Sequence, residues 1–161
     1  MRLKIFTTGG TIDKIYFDAK SEFQVGDPQI GDFLGEAQVA FEYDVESLLR
    51  KDSLDLTDED RRLMHRRIAE DEAERFLVTH GTDTMVETGK ALADIEEKTI
   101  VLTGSLQPMR FRKSDGLFNI AYAVAAAQLL RPGVYIAMHG RIFDPRRTQK
   151  NAARQRFEDT G

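Results

Sequence analysis

Arg75-Phe76-Leu77-Val78-Thr79-His80-Gly81-Thr82-Asp83-Thr84-Met85-Val86-Glu87 is the stretch on which the fold turns. Arg75–Thr79 is short, apolar and rich in strand formers, so it reads as a buried strand. His80-Gly81-Thr82-Asp83 is polar and carries a glycine, so the chain turns there. Thr84, followed three residues later by Glu87, has the form of a capping box and starts a helix running to about Ile95. Strand, turn and capped helix in that order are the repeating unit of an α/β protein.

Working outward, the same alternation continues. Thr99–Thr103 reads as a buried strand ending at Gly104, and Thr57 to about Asp71 as a helix with Thr57 as N-cap and Leu63, Met64 and Ile68 on one face. Leu3–Thr7 and Val134–Met138 read as strands, and Gln38–Tyr43 alternates like one. Leu117–Leu130 is apolar nearly all round and reads as a well-buried helix, entered through a polar turn in which Ser114 or Asp115 caps. Residues 8–28 read as a long loop, and no element is assigned beyond Asp144-Pro145. The expected fold is α/β: a three-layer, Rossmann-like, mainly parallel sheet flanked by helices. In such sheets ligands bind beyond the carboxyl ends of the strands. That points to Thr8–Thr11, His80–Asp83, Gly104-Ser105 and His139-Gly140.

The 161 residues are expected to form one domain, 1–161, with its own core. Hydrophobic residues make up 41% and charged residues 31%, a globular rather than a disordered composition. The absence of cysteine removes disulfides, thiolate metal sites and a cysteine nucleophile. No apolar run is long enough for a membrane span, and the first residues enter a strand pattern at once, so the expected location is cytoplasmic. A net charge of −4 argues against nucleic acid as the main partner. The basic run Arg146–Arg156 reads mostly as a solvated segment. The three histidines lack metal-ligand spacing, and no cofactor is expected.

Two segments carry the chemistry. In Thr7-Thr8-Gly9-Gly10-Thr11-Ile12 the glycines allow a sharp turn and close backbone approach to a ligand, leaving Thr11 to present a hydroxyl; an ordinary Gly-Gly turn fits equally well. Neither a dinucleotide fingerprint nor a phosphate loop is present. In His80-Gly81-Thr82-Asp83-Thr84, Thr82 and Asp83 fit turn and capping roles, but Thr84 already fills the cap position, which leaves those two less explained by structure. His80 reads as a hydrogen-bonded structural group. A hydroxyl nucleophile needs a base and oxyanion donors. A lysine fits as base, and the spacing does not single one out.

Thr-Gly-Gly-Thr-Ile at residues 8–12 and His-Gly-Thr-Asp-Thr at 80–84, in that order, resemble the two signature segments of the bacterial-type L-asparaginases. Thr-Gly-Ser-Leu-Gln-Pro-Met at 103–109, Ser-Asp-Gly-Leu-Phe-Asn at 114–119 and, more loosely, the segment from Lys51 match as well. The resemblance implies a catalytic N-terminal-type domain, without the C-terminal domain that family members commonly carry, hydrolysing L-asparagine to L-aspartate and ammonia. It implies Thr11 as nucleophile, Thr82, Asp83 and Lys150 as a proton-moving triad, and Tyr16 on a loop that closes over Thr11 and bonds to it. It further implies Ser53 at the substrate carboxylate, Asp83 at its amine, the main chain near Ser105 at the amide, and Gly10 and Gly81 lining the site. Leu54 departs from the polar residue of some relatives, and for it and the absent C-terminal domain's acidic group Asp52, Asp55 or an acidic residue from a partner subunit would compensate. A homo-oligomer is expected. Some glutaminase activity, a non-catalytic aspartate- or asparagine-binding module, and a subunit needing another chain are the other readings.

Overall fold

Phe6 packs on one side of a central sheet while Leu3 and Ile5 pack on the other, the two-residue alternation of a strand buried on both faces. In the computed structural model, which describes residues 1–161, this strand is β1, Arg2–Gly9. It is followed by β2 (Lys14–Phe17), β3 (Glu22–Val25), α1 (Ile30–Glu36), β4 (Glu42–Lys51), α2 (Asp58–Glu70), β5 (Arg75–Thr79) and α3 (Met85–Ala91). Then come β6 (Thr99–Thr103), α4 (Gly116–Leu129), β7 (Gly133–Met138), β8 (Arg141–Phe143), β9 (Thr148–Asn151) and β10 (Arg156–Asp159). The main sheet runs β4-β1-β5-β6-β7-β8. Its first five strands pair in parallel, and β8 closes one edge antiparallel to β7.

The expected three layers form. Phe6, Val78 and Leu102 face Met64 and Ile68 of α2 and Met85 of α3. Ile5, Leu77 and Val101 face Ile30 and Leu34 of α1 and Ile120 and Ala123 of α4. The chain leaves β1 to place β4 on one side, then returns across it to place β5 on the other. That reversal makes the carboxyl ends of β1 and β5 a topological switch point, the place where α/β sheets commonly hold their ligands.

Thr57 caps α2 as expected, and Asp60 completes the box: Thr57 Oγ1 accepts the Asp60 N–H at 3.1 Å and Asp60 Oδ2 accepts the Thr57 N–H at 3.0 Å. At the other end the buried Lys98 ammonium donates to Ile68 O at 2.8 Å and to Asp71 O, satisfying carbonyls a helix C-terminus leaves open. No helix is long and apolar enough to cross a membrane.

Several local expectations are corrected. Gln38–Tyr43 is not a strand: Gln38 has φ 51° in the turn leaving α1, and the strand begins at Glu42. The helix α1 is hidden in sequence by Gly31 and Gly35, each costing about 1 kcal/mol against alanine, and is held by burial of Ile30 and Leu34. The capping box at Thr84 does not form; its hydroxyl donates instead to Ser53 O at 2.7 Å, and α3 ends at Ala91. The hydroxyl is oriented across the fold, and its oxygen accepts no N–H from the first turn of α3. One face of α4 is exposed, with Phe118 at 60% and Leu129 at 83%, because only the opposite face meets the sheet. Residues 14–25 form a β-hairpin rather than a loop, and the polar end of the chain forms another, β9–β10.

Candidate active site

The site begins with two glycines. Gly9 and Gly10 have φ of 95° and 83°, a region that strains other residues, and they turn the chain sharply out of β1. The turn brings backbones into contact. A Cβ on Gly10 would lie 2.5 Å from Gly81 N, and a Cβ on Gly81 would lie 2.6 Å from both Cβ and Oγ of Ser53. The loops after β1, β5 and β4 are therefore stacked directly on one another. Thr11 follows, opening a 3-10 turn over Thr11–Asp13, and its hydroxyl makes no hydrogen bond within the chain.

Thr82 and Asp83 stand at the end of β5, and the lysine they meet comes from the far end of the sequence. Lys150 Nζ lies 2.8 Å from Thr82 Oγ1 and 2.6 Å from Asp83 Oδ1. Thr82 is buried, and the Lys150 side chain is only 11% exposed, against 47% for Asp83. The structure thus builds a hydroxyl–ammonium–carboxylate chain that is dry at one end and wet at the other. Such a chain can carry a proton between a buried oxygen and solvent.

His80 is a structural group, as expected. It is fully buried, with Nδ1 2.6 Å from Gly81 O and Nε2 2.7 Å from Thr88 Oγ1. A carbonyl only accepts, so Nδ1 carries the proton and Nε2 accepts from Thr88, whose oxygen in turn accepts from Arg61 Nε at 3.1 Å. Burial pulls the His80 pKa down to about 4, with the Arg61 charge adding to that effect and the Gly81 bond opposing it, so the imidazole is neutral at pH 7. It orients Gly81 and is not a base for the site.

Residues 2–158 match the family described as Asparaginase, N-terminal. This chain belongs to the asparaginase family. It is 29% identical over 156 residues to the L-asparaginase of Thermococcus kodakarensis, covering 93% of this chain and 48% of that protein. It is 43% identical over 77 residues to a glutamyl-tRNA(Gln) amidotransferase subunit of Methanococcus vannielii, covering 47% of this chain and 18% of that one. The solved thermostable L-asparaginase from Thermococcus kodakarensis superposes with a TM-score of 0.85 at 27% identity, over 99% of this chain and 51% of that one. The chain spans about half or less of the length of each of these proteins.

The remaining residues expected of an asparaginase site divide. Ser53 is at the centre: it is 1% exposed, lies against Gly81, and its hydroxyl has no hydrogen-bond partner. The hydroxyls of Thr7 and Thr79 share that unpartnered, buried state, so Ser53 is set apart by its contact with Gly81 at the strand ends. Asp52 is at the rim, but its carboxylate is already engaged by Lys14 Nζ at 2.8 Å and by the Leu54 N–H at 3.2 Å. The Lys14 contact holds it below the usual carboxylate range, against the opposing effect of burial, with the Leu54 bond and the Lys150 charge adding. Sequence reasoning missed Lys14, since nothing local marks its partner. Ser105 is buried, and its hydroxyl donates to Gln107 O at 2.5 Å, so only its main chain is free to meet a ligand. Tyr16 is not bonded to Thr11. It is 50% exposed on β2, opposite Phe23 in the hairpin register, with the two rings 5.3 Å apart. Ring packing on its own hairpin holds it away. Leu54 is 71% exposed and makes no polar contact with its side chain.

Asp13, two residues after Thr11, is 3% exposed and accepts the Gln29 N–H at 3.0 Å. Burial raises its pKa to about 6, against the opposing effects of that bond and of Arg110 and Arg50. A carboxyl whose folded pKa is raised stabilises the fold below its unfolded value near 4, and that contribution is lost as pH rises through 6. Asp13→Asn keeps an oxygen for Gln29 and removes the titration. The variant is therefore expected to gain stability over the parent as pH rises from 4 to 7, by on the order of 2 kcal/mol. Denaturant unfolding at pH 4 and pH 7.5 checks this; a difference that stays flat with pH refutes it.

Proposed function

We propose that this chain is an amidohydrolase that converts L-asparagine to L-aspartate and ammonia through a threonine nucleophile. The observation that carries the reading is the Lys150 contact to Thr82 and Asp83 at 2.8 and 2.6 Å, on the loop whose Gly81 lies directly against Gly10, the residue before Thr11. In this reading Thr11 Oγ adds to the amide carbon, the carbon–nitrogen bond breaks, and ammonia leaves with the threonine proton, giving an aspartyl ester on Thr11. Thr82 then takes a proton from water as it hands its own to Lys150 Nζ, which releases one through the half-exposed Asp83 to solvent. The resulting hydroxide adds to the ester, aspartate departs, and Thr11 recovers its proton. Backbone N–H groups of the Gly81–Asp83 turn are suited to the developing oxyanion. The unpartnered Ser53 hydroxyl suits the substrate carboxylate, and the exposed Asp83 its amine. Closure of the β2–β3 hairpin would carry Tyr16 to Thr11 and exclude water. Glutamine is a second substrate under the same chemistry, since one methylene discriminates by only about 1–3 kcal/mol. A homo-oligomer in the cytoplasm completes the proposal.

A second reading has a specific observation in its favour. The relatives are about twice as long or more, and one is an amidotransferase subunit. The chain would then hold its substrate but need another chain for turnover. Ammonia release by the purified chain from L-asparagine and L-glutamine separates the two. Release by the parent, reduced by about 10³-fold or more in a folded Thr11→Ala, supports the hydrolase. Ligand-dependent stabilisation without release by the parent supports the second reading.

A further inference from the structure

Lys150 reaches the site from β9, a strand of the small β9–β10 hairpin that shares no ladder with the main sheet. Something else must fix its position. Its partner across the hairpin is Phe157, which is 2% exposed and packs against Phe143 and His139. The Phe157 N–H is not used in the ladder to β9. It points the other way and donates to His139 Nε2 at 3.1 Å. In an antiparallel pair every second N–H faces outward, and on a buried edge that donor needs an acceptor. His139 supplies it.

The choice of residue at 139 is not explained by the backbone. His139 and Gly140 have φ of 56° and 70° and form the two-residue turn between β7 and β8. Such a turn favours Asn, Asp or Gly at its first position. Histidine, like asparagine, enters the left-handed region more readily than most residues, so what distinguishes it from asparagine here is its reach to Phe157. Of the other ties, the Thr148 hydroxyl holds the start of β9 to Asp144 O, two residues before Lys150, while Arg141 to Asp159 at 2.8 Å joins two side chains that are more than half exposed and is correspondingly weak.

We propose that His139 is a positioning residue for Lys150: its neutral Nε2 latches the Phe157 backbone and so seats the lysine opposite Thr82 and Asp83. The inference rests on the proton-moving role proposed for Lys150. Protonation converts Nε2 from acceptor to donor and opens the latch, so the device releases in acid. Burial first, and the Arg156 charge on β10 second, hold the imidazole below its ordinary range, while Asp115 at the start of α4 pulls the other way. The remaining charges around it are already paired, Arg141 with Asp159 and Lys150 with Asp83.

Two variants test the latch. His139→Asn suits the turn but stops short, at the position of Nδ1. His139→Gln places an amide oxygen near the position of Nε2 and does not titrate. His139→Asn is expected to lower kcat about tenfold with KM within twofold, and to speed amide hydrogen exchange across residues 148–159 about tenfold. His139→Gln is expected to keep parental kcat at pH 7.5 and to lose part of the parental fall in kcat between pH 7 and pH 5. In the parent, exchange in the same segment, corrected for its intrinsic pH dependence, should rise between those two values. Parental exchange and kcat in His139→Asn, or an unchanged acid limb in His139→Gln, overturn the proposal. If the parent releases no ammonia, the exchange measurements still decide the latch, and only the hydrolase reading falls.

Discussion

Lys150→Met is expected to lower kcat for ammonia release from L-asparagine by about 10²–10⁴-fold, the range supplied by a positioned acid–base group. Methionine keeps most of the stem that threads past the hairpin, so packing is little disturbed. The change removes both contacts of Nζ, at 2.8 Å to Thr82 and 2.6 Å to Asp83. Thr82 then has no proton partner, while Asp83, 47% exposed, is rehydrated at small cost. Thermal stability should therefore stay close to that of the parent while turnover collapses. KM should change less than kcat, because the lysine acts on the proton rather than on the bound substrate. Steady-state kinetics on folded protein decide it: retention of kcat to within tenfold would remove Lys150 from the proton path.

Gly10→Ala is expected to destabilise the fold by about 3 kcal/mol, from two independent sources. At φ 83° an L side chain carries about 1–2 kcal/mol of steric strain. The added Cβ would also sit 2.5 Å from Gly81 N and 2.6 Å from Gly81 Cα, both backbone atoms. Overpacking against atoms that cannot rotate away costs a further ~1–3 kcal/mol. For a chain of this size that corresponds to a fall in Tm of roughly 6–12 °C. Activity should suffer beyond stability, because the stack of Gly10 on Gly81 on Ser53 is what sets Thr11 against the loop bearing Thr82. A Tm within 2 °C of the parent would show that the stacked loops give way readily and do not form a rigid floor for the site.

The main sheet was legible in the sequence because its strands are buried on both faces. Leu77 and Val78, or Val101 and Leu102, must be apolar on consecutive positions, and little else reads that way. Thr57 announced α2 because its cap is local, closed with Asp60 three residues on. Thr84 carried a similar local signal and did mark the start of α3, but its hydroxyl bonds to Ser53 O across the fold and the box does not close. The hairpins β2–β3 and β9–β10 were not legible, since their faces are mostly polar or half-exposed and give no period to read. Gln38–Tyr43 misled in the opposite sense: alternation suggested a strand where a left-handed turn at Gln38 ends α1.

The sequence by itself determined the α/β class, the strand ends at which the candidate site gathers, and two threonines set beside glycines, because each depends on residues a few positions apart. Only the tertiary structure decided which lysine meets Thr82, since Lys150 lies 68 residues away in the chain. It also decided that Asp52 is spent on Lys14, that Tyr16 stacks on Phe23, and that His139 holds the strand opposite Lys150. Those contacts join segments remote in sequence, and they are fixed by the packing of strands and hairpins against one another, which no local pattern of residues encodes.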